Sequence, residues 1–169
     1  RSTGELFDEA FLRCYYAHVD PADLGARSAS DLFGMAAEHA RLASDWGRGT
    51  TAIRVANPRI DLDGWENDHT VVMIVTDDLP FLVDSVTMEL SRLDLGIHFV
   101  VHPILVDLRD EGDGFANPRD HPDALTRKSS FIAVEVDRQT APDVIDAVES
   151  NLRRVLDDVG AAVDDWAAM

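Results

Sequence analysis

Apolar residues recur at spacings of three and four through the first third of the chain, then at spacings of two, with two later returns to the helical period. Ser2 and Glu5 stand in capping-box spacing, and Phe7, Phe11, Cys14, Tyr15 and His18 follow on one helical face. Asp20-Pro21 either ends that helix or starts a short turn. Ser28 and Asp31 predict a second cap, behind which Leu32, Met35, Ala36, His39, Leu42, Ala43 and Trp46 form a stripe that Gly47 and Gly49 stop.

From Thr51 the period changes. Thr51, Ile53 and Val55 alternate with Ala52, Arg54 and Ala56 in a half-buried strand ending at Asn57-Pro58, and residues 59–69 are polar and turn-like. Val71 to Val75 is apolar on both faces, the pattern of a central strand. Pro80 is placed at the first turn of a helix whose buried stripe is Leu82, Val83, Val86, Leu90 and Leu93 and which Gly96 ends. Ile97 to Leu108 is a strand that Pro103 interrupts, so it belongs at a sheet edge or carries a bulge. Residues 109–130, with Gly112, Gly114, Pro118 and Pro122 among charges, read as a long, mobile loop. Phe131 to Asp137 is a strand with Ile132, Val134 and Val136 on one face. Thr140 and Asp143 are positioned to cap a last helix carrying Val144, Ile145, Val148, Leu152, Val155, Leu156 and Val159.

The chain thus divides into an N-terminal helical segment, 1–49, and a β-βαββα unit, 50–169. The second part is α+β and ferredoxin-like, with its usual last strand missing. In that topology the sheet order is 4-1-3-2. The strand at 51–57 can occupy the place of the missing one, antiparallel to 70–76, and the strand broken by Pro103 falls at the opposite edge. Helices of such a unit cover one sheet face, yet the 71–75 strand is apolar on both. The N-terminal helices are the first candidates to cover the second face, ahead of another protomer or a neighbouring domain.

Composition narrows the function. The chain has 169 residues, 46% hydrophobic and 28% charged, with a net charge of −17. Such an acidic surface repels phosphate backbones and anionic lipids, which disfavours nucleic-acid and membrane partners. No apolar run is long enough for a membrane span and no secretory signal is visible, so a cytoplasmic setting is expected. The single Cys14, on an apolar stripe, excludes an internal disulfide framework and reads as a packed thiol. Starting at Arg1 and stopping after a helical pattern, the chain reads as a piece of something longer.

An Asp-x-Pro turn between the first strand and first helix of a βαββαβ unit is the arrangement of ACT domains, and here it is Asp78-Leu79-Pro80-Phe81. TDDLPFLVDSVTMELSRLDLGIHFVVHPILV at 76–106 and SFIAVEVDRQ at 130–139 resemble the N-terminal region of the large bacterial NAD-specific glutamate dehydrogenases, as does FLRCYYAHVDPADL at 11–24. The resemblance implies an ACT-like regulatory or oligomerisation domain. Its parent enzyme would oxidatively deaminate L-glutamate to 2-oxoglutarate and ammonia with NAD, using a C-terminal Rossmann-type domain absent from this chain. It implies as partners the other domains and protomers of that enzyme, with an amino-acid effector as a further candidate. Asp78, Leu79, Pro80 and Phe81 are then the candidate effector turn. Amino-acid-binding ACT domains usually carry Gly where this chain has Phe81, and a benzyl group turned inward would fill the ligand's approach.

Catalytic and metal signatures are sparse. No G-x-G-x-x-G follows a strand, since Gly47-Arg48-Gly49 precedes one, and no P-loop occurs, so no cofactor is expected on this chain itself. Lys128, the only lysine, sits in a polar stretch and is poorly placed to activate a carbonyl or water. His98 and His102 share a strand face but lie ~13 Å apart at strand rise, too far to ligate one metal. The acidic run at 110–114 lacks the alternating ligands and closing glutamate of a calcium loop. Asp77, Asp78 and Asp84 are expected to cap a helix. Val71, Met73, Val75, His98, Val100 and His102 are the candidate interface. Two other readings remain open: a structural spacer that binds nothing small, and a small stand-alone ferredoxin-like enzyme.

Overall fold

In a computed structural model, residues 7–169 are described. The capping box expected at Ser2 and Glu5 lies outside them. The first helix, α1 (Glu9–Tyr15), is capped by Asp8, whose carboxylate accepts the Phe11 amide at 2.8 Å. The helix ends at Tyr15, so His18 lies beyond it and is exposed instead of continuing the apolar stripe. Asp20-Pro21 starts a short helix, α2 (Pro21–Gly25), with Pro at its first position and the Asp20 side chain on the Ala22 amide. Helix α3 (Ala29–Asp45) begins where Ser28 predicts, its hydroxyl accepting the Asp31 amide at 3.1 Å.

The sheet is antiparallel. Strand β1 (Thr51–Ala56) pairs β2 (Thr70–Asp77) in the register Thr51↔Thr76 through Ala56↔Val71. Strand β2 in turn pairs β6 (Lys128–Val136), and β6 pairs β3 (Ile97–Val101) and β4 (Ile104–Asp107) end to end along its far side. The order is that of a ferredoxin-like sheet with β1 in the place of the missing last strand, as the sequence predicts. The 97–108 run is two strands. Pro103 separates them while its carbonyl still accepts the Phe131 amide at 3.0 Å, and the register slips between Ile97 and Phe99. Among the described residues strand β3 pairs with β6 alone, whereas β4 is flanked on its outer side by the two-residue β5 (Phe115–Ala116).

Helices α5 (Leu82–Arg92) and α6 (Pro142–Ala168) cover one face. Leu82, Val86, Leu90, Val148, Leu152 and Leu156 close over Val72, Ile74, Ile132 and Val134. The other face is covered by α1 and α3: Phe11, Tyr15, Met35, Ala36 and Ala40 pack on Val71, Met73, Val75, Phe131 and Ala133. The sheet is therefore sandwiched, which explains why β2 and β6 are apolar on both faces. No helix among the described residues is long and apolar enough to cross a membrane.

Four local expectations are corrected. Residues 59–69 contain a one-turn helix, α4 (Ile60–Asp63), and send Trp65 into the core at 2% exposure. The 109–130 segment is not structureless: it holds three 3-10 turns and β5, and Lys128–Ser130 belong to β6. Arg109 anchors it by donating to the carbonyls of Ala43 and Trp46 at the end of α3 while gripping Asp107. Helix α6 starts at Pro142 with Ala141 at its cap and no side-chain cap bond, so Thr140 and Asp143 do not cap it. Gly96 does not end α5, which stops at Arg92 with Asp94 left-handed beyond it; Gly96 instead gives its amide to Asp137 at 2.8 Å.

Candidate functional site

The Asp78–Phe81 turn is held from β6. The Asp78 amide donates to the Lys128 carbonyl at 3.0 Å, and the Asp78 carboxylate accepts the Ser130 hydroxyl at 2.9 Å with Lys128 Nζ at 3.9 Å. His102 Nε2 lies 3.4 Å from the same hydroxyl oxygen. Burial pushes the His102 imidazolium toward deprotonation, opposed by the Asp78 charge, and its pKa falls below the ordinary value. Ser130 is fully buried and its proton is directed to a carboxylate, so this Ser-His-Asp grouping orients a turn and does not present a nucleophile.

None of the three aspartates caps α5 through a side-chain bond, although Asp84 lies in its first turn, where a carboxylate favours the helix dipole. Asp77 accepts the Gly49 amide, Asp78 is engaged with β6, and α5 has no side-chain cap bond. Pro80 precedes the helix cap instead of sitting in the first turn. The cap is Phe81, left-handed at φ 69° and ψ 9°, a conformation that glycine adopts without cost. Its side chain is 68% exposed. The condition under which the ring would fill a ligand's approach, that it turns inward, is not met: the ring faces a groove of about 500 Å³ shared with Val155, Val159, Ala162, Val163 and Trp166.

The candidate interface residues divide. Val71, Met73 and Val75 are covered by α1 and α3 at 2% exposure or less, so the chain's own helices occupy that face. Val100 stays 36% exposed on β3. His98 and His102 serve separate clusters. The His98 ring stacks on His69 at 4.1 Å between centroids and places Nε2 2.6 Å from Asp137. That hydrogen bond, with the Gly96 amide, holds the Asp137 carboxyl below its ordinary range.

A second cluster went unread in the sequence. Glu135, 2% exposed on β6, takes Arg27 through both carboxylate oxygens at 2.7 and 3.3 Å, with Asn67 at 2.8 Å and His69 Nδ1 at 3.4 Å. Burial raises its pKa, but the bonds from Arg27 and Asn67 and the Arg27 and His69 charges outweigh it, and the carboxyl sits below its usual value. Arg27 also lies 3.7 Å over the Phe99 ring. The only sequence signal was a glutamate at an alternating position of a strand that looked one-sided. The network edges a cleft of about 370 Å³ between α3 and the 66–69 loop. Among the described residues, no group of three or more His, Cys, Asp or Glu is placed to hold a metal ion.

A family profile described as the ACT1 domain of glutamate dehydrogenase matches residues 11–152. The NAD-specific glutamate dehydrogenase of Halomonas elongata is 33% identical over 164 residues, covering 95% of this chain and 10% of that protein. That of Pseudomonas aeruginosa is 31% identical over 162 residues, covering 94% of the chain and 10% of its own length. The chain thus spans about a tenth of the length of the curated relatives it matches. No solved structure matches it.

Proposed function

The chain belongs to the ACT1 domain family of glutamate dehydrogenases, and from that membership we propose that it is a non-catalytic regulatory and assembly domain of an NAD-specific enzyme. The proposed parent reaction is the oxidative deamination of L-glutamate to 2-oxoglutarate and ammonia, with NAD bound elsewhere in the parent. The observation that carries this reading is how the polar groups are used. Lys128 is paired with Asp78, Ser130 donates to Asp78, and Glu135 is saturated by Arg27, Asn67 and His69. These three candidates for acid–base or nucleophilic work are each spent on positioning a strand or turn. Apolar groups that a free-standing domain would bury, Phe81 and Trp166 among them, are exposed at 68% and 69%. The partners in this reading are other domains and protomers of the enzyme.

The spacer reading drew on Phe81 blocking a ligand, and the outward ring removes that support. The test is a full-length enzyme of this family with and without the domain. The proposal expects an altered oligomeric state or effector response on removal, and no glutamate-dependent NAD reduction by the isolated chain above a mock-purified control. Unchanged assembly and unchanged effector response would leave a spacer, and NAD reduction by the chain alone would make it an enzyme.

A further inference from the structure

The groove beside Phe81 has two unlike walls. One is the start of α5, with Phe81 and Ser85 one turn apart; the other is the late part of α6, with Val155, Val159, Ala162, Val163 and Trp166 at helical spacing. The helices run antiparallel, since Arg154 reaches Glu89 at 3.7 Å while Val159 and Trp166 flank Phe81, eight residues before Glu89. Helix α6 has 27 residues and α5 has 11, so the end of α6 overhangs the start of α5. Beyond Leu156 none of its side chains is buried.

Three observations converge on this place. The wall of α6 keeps an apolar stripe past its last buried residue, Leu156: Val159 still packs at the margin of the core, Val163 is half-buried, and Trp166 is 69% exposed. Phe81 holds a left-handed conformation at φ 69° that costs a non-glycine residue about 1–2 kcal/mol, and its ring is directed into this groove instead of the core. The rim is predominantly acidic: Asp157, Asp158, Asp164 and Asp165 lie on the overhang, with no Lys or Arg from Val155 to Met169, and the nearest cation on the helix, Arg154, reaches Asp158 at 4.0 Å. A second copy would bring the same acidic rim and a further net charge of −17, which opposes self-pairing.

We propose that this groove seats an amphipathic helix whose apolar stripe is flanked by Lys or Arg. The inference rests on the assembly reading above and gives its partner a chemistry. The occupant lays its apolar face between Phe81 and Trp166, while its basic flanks meet Asp158 and Asp165.

The probe is a synthetic leucine–lysine helix of about 18 residues, long enough to follow the overhang, compared with a leucine–glutamate helix of the same pattern and a scrambled leucine–lysine peptide. Binding to the whole chain is measured by calorimetry. The patterned leucine–lysine helix is expected to bind and the other two not. Phe81→Gly/Trp166→Ala should weaken it at least about tenfold, the loss expected of central aromatic anchors. These side chains are exposed, and a thermal melt by circular dichroism checks that the fold is kept. Asp158→Lys/Asp165→Lys should reverse the preference toward the leucine–glutamate helix. Absent binding, equal binding of the scrambled peptide, or undiminished binding to the double aromatic variant would overturn the proposal. A dimer in sedimentation equilibrium that the aromatic variant dissolves would assign the groove to a second copy and overturn it too. If the peptide fails while removal of the domain still alters enzyme assembly, the groove assignment falls and the assembly reading stands.

Discussion

Gly34, in the middle of α3, lies so close to Trp65 that a β-carbon added to it would stand 2.3 Å from the Trp65 Cβ and 2.4 Å from the Cγ. The glycine is what lets the 64–66 loop seat its indole against the helix, where Trp65 Nε1 donates to Glu38 at 3.0 Å. Two effects compete in Gly34→Ala. Helix propensity favours alanine by about 1 kcal/mol. Forcing a methyl into a filled contact costs about 1–3 kcal/mol, and the neighbouring atoms are the root of a side chain, not its flexible end. The contact should win, lowering the urea midpoint of unfolding. A raised midpoint would mean that the loop yields freely.

The buried pair Tyr15 and His39 sets the acid response. His39 Nε2 donates to the Ile74 carbonyl at 2.8 Å and Nδ1 accepts the Tyr15 hydroxyl at 2.8 Å, so the ring is held neutral. Burial lowers its pKa from 6.5 to about 4 against the smaller opposing effect of the Ile74 bond. The folded value is depressed, so between the two values the unfolded chain binds more protons and stability is lost as pH falls. At pH 5.5 the loss from this group should be about 1 kcal/mol relative to pH 7. Urea unfolding from pH 7 to pH 5 should show that slope in the native chain and a smaller one in His39→Gln. Equal slopes would place the proton uptake elsewhere.

The contrast between His39 and Glu135 shows what the sequence could carry. His39 falls on the α3 stripe at helical spacing, so its burial was legible from period alone. The order and pairing of β1, β2 and β6 were legible for a similar reason: a strand apolar on both faces must be central, and a proline must sit where no donor is needed. Glu135 looked like the solvent side of an alternating strand. Its burial depends on Arg27 and Asn67, 108 and 68 residues away in sequence. Trp65 was hidden within a polar stretch whose role is set by a glycine on another element. Phe81 was read from the glycine usual at that place in the ACT turn, and a torsion angle decides where its ring goes.

Arg27 should prove costly to remove. Glu135 has 2% side-chain exposure and Arg27 20%, so truncating the arginine strands a buried carboxylate on Asn67 and His69. Arg27→Met keeps an apolar stem over Phe99 and deletes the charge. The expected loss is about 3 kcal/mol at neutral pH, the low end for breaking a buried pair because two partners remain. In the native chain the Glu135 carboxyl lies below 4.5, so its contribution is present at neutral pH and lost as pH falls through the folded value. In the variant, burial acts with less opposition and raises that value. The stability deficit should therefore narrow on acidification from pH 6 to pH 4. A deficit independent of pH would point to lost packing on Phe99 instead of the stranded charge.

Phe81 offers a test in which backbone and side chain can be separated. At φ 69° its β-carbon crowds the backbone, a penalty of about 1–2 kcal/mol that glycine does not incur. Glycine adds freedom to the unfolded chain worth about 0.5–1 kcal/mol in the opposite direction. With the ring 68% exposed, little packing is lost on its removal. Phe81→Gly should thus leave stability unchanged or raise it by up to about 1 kcal/mol. Phe81→Ala retains the crowded β-carbon and loses the ring, so it should be less stable than Phe81→Gly by several tenths of a kcal/mol up to about 1. Paired urea titrations decide it. If alanine matches glycine, the left-handed cap is not enforced in solution; if both fall well below the native chain, the ring packs more than its exposure indicates. The expected order, glycine above alanine, gives a second reason for the glycine usual at this turn in amino-acid-binding ACT domains. It clears an approach to the helix, and it also removes the strain of the left-handed cap that Phe81 retains.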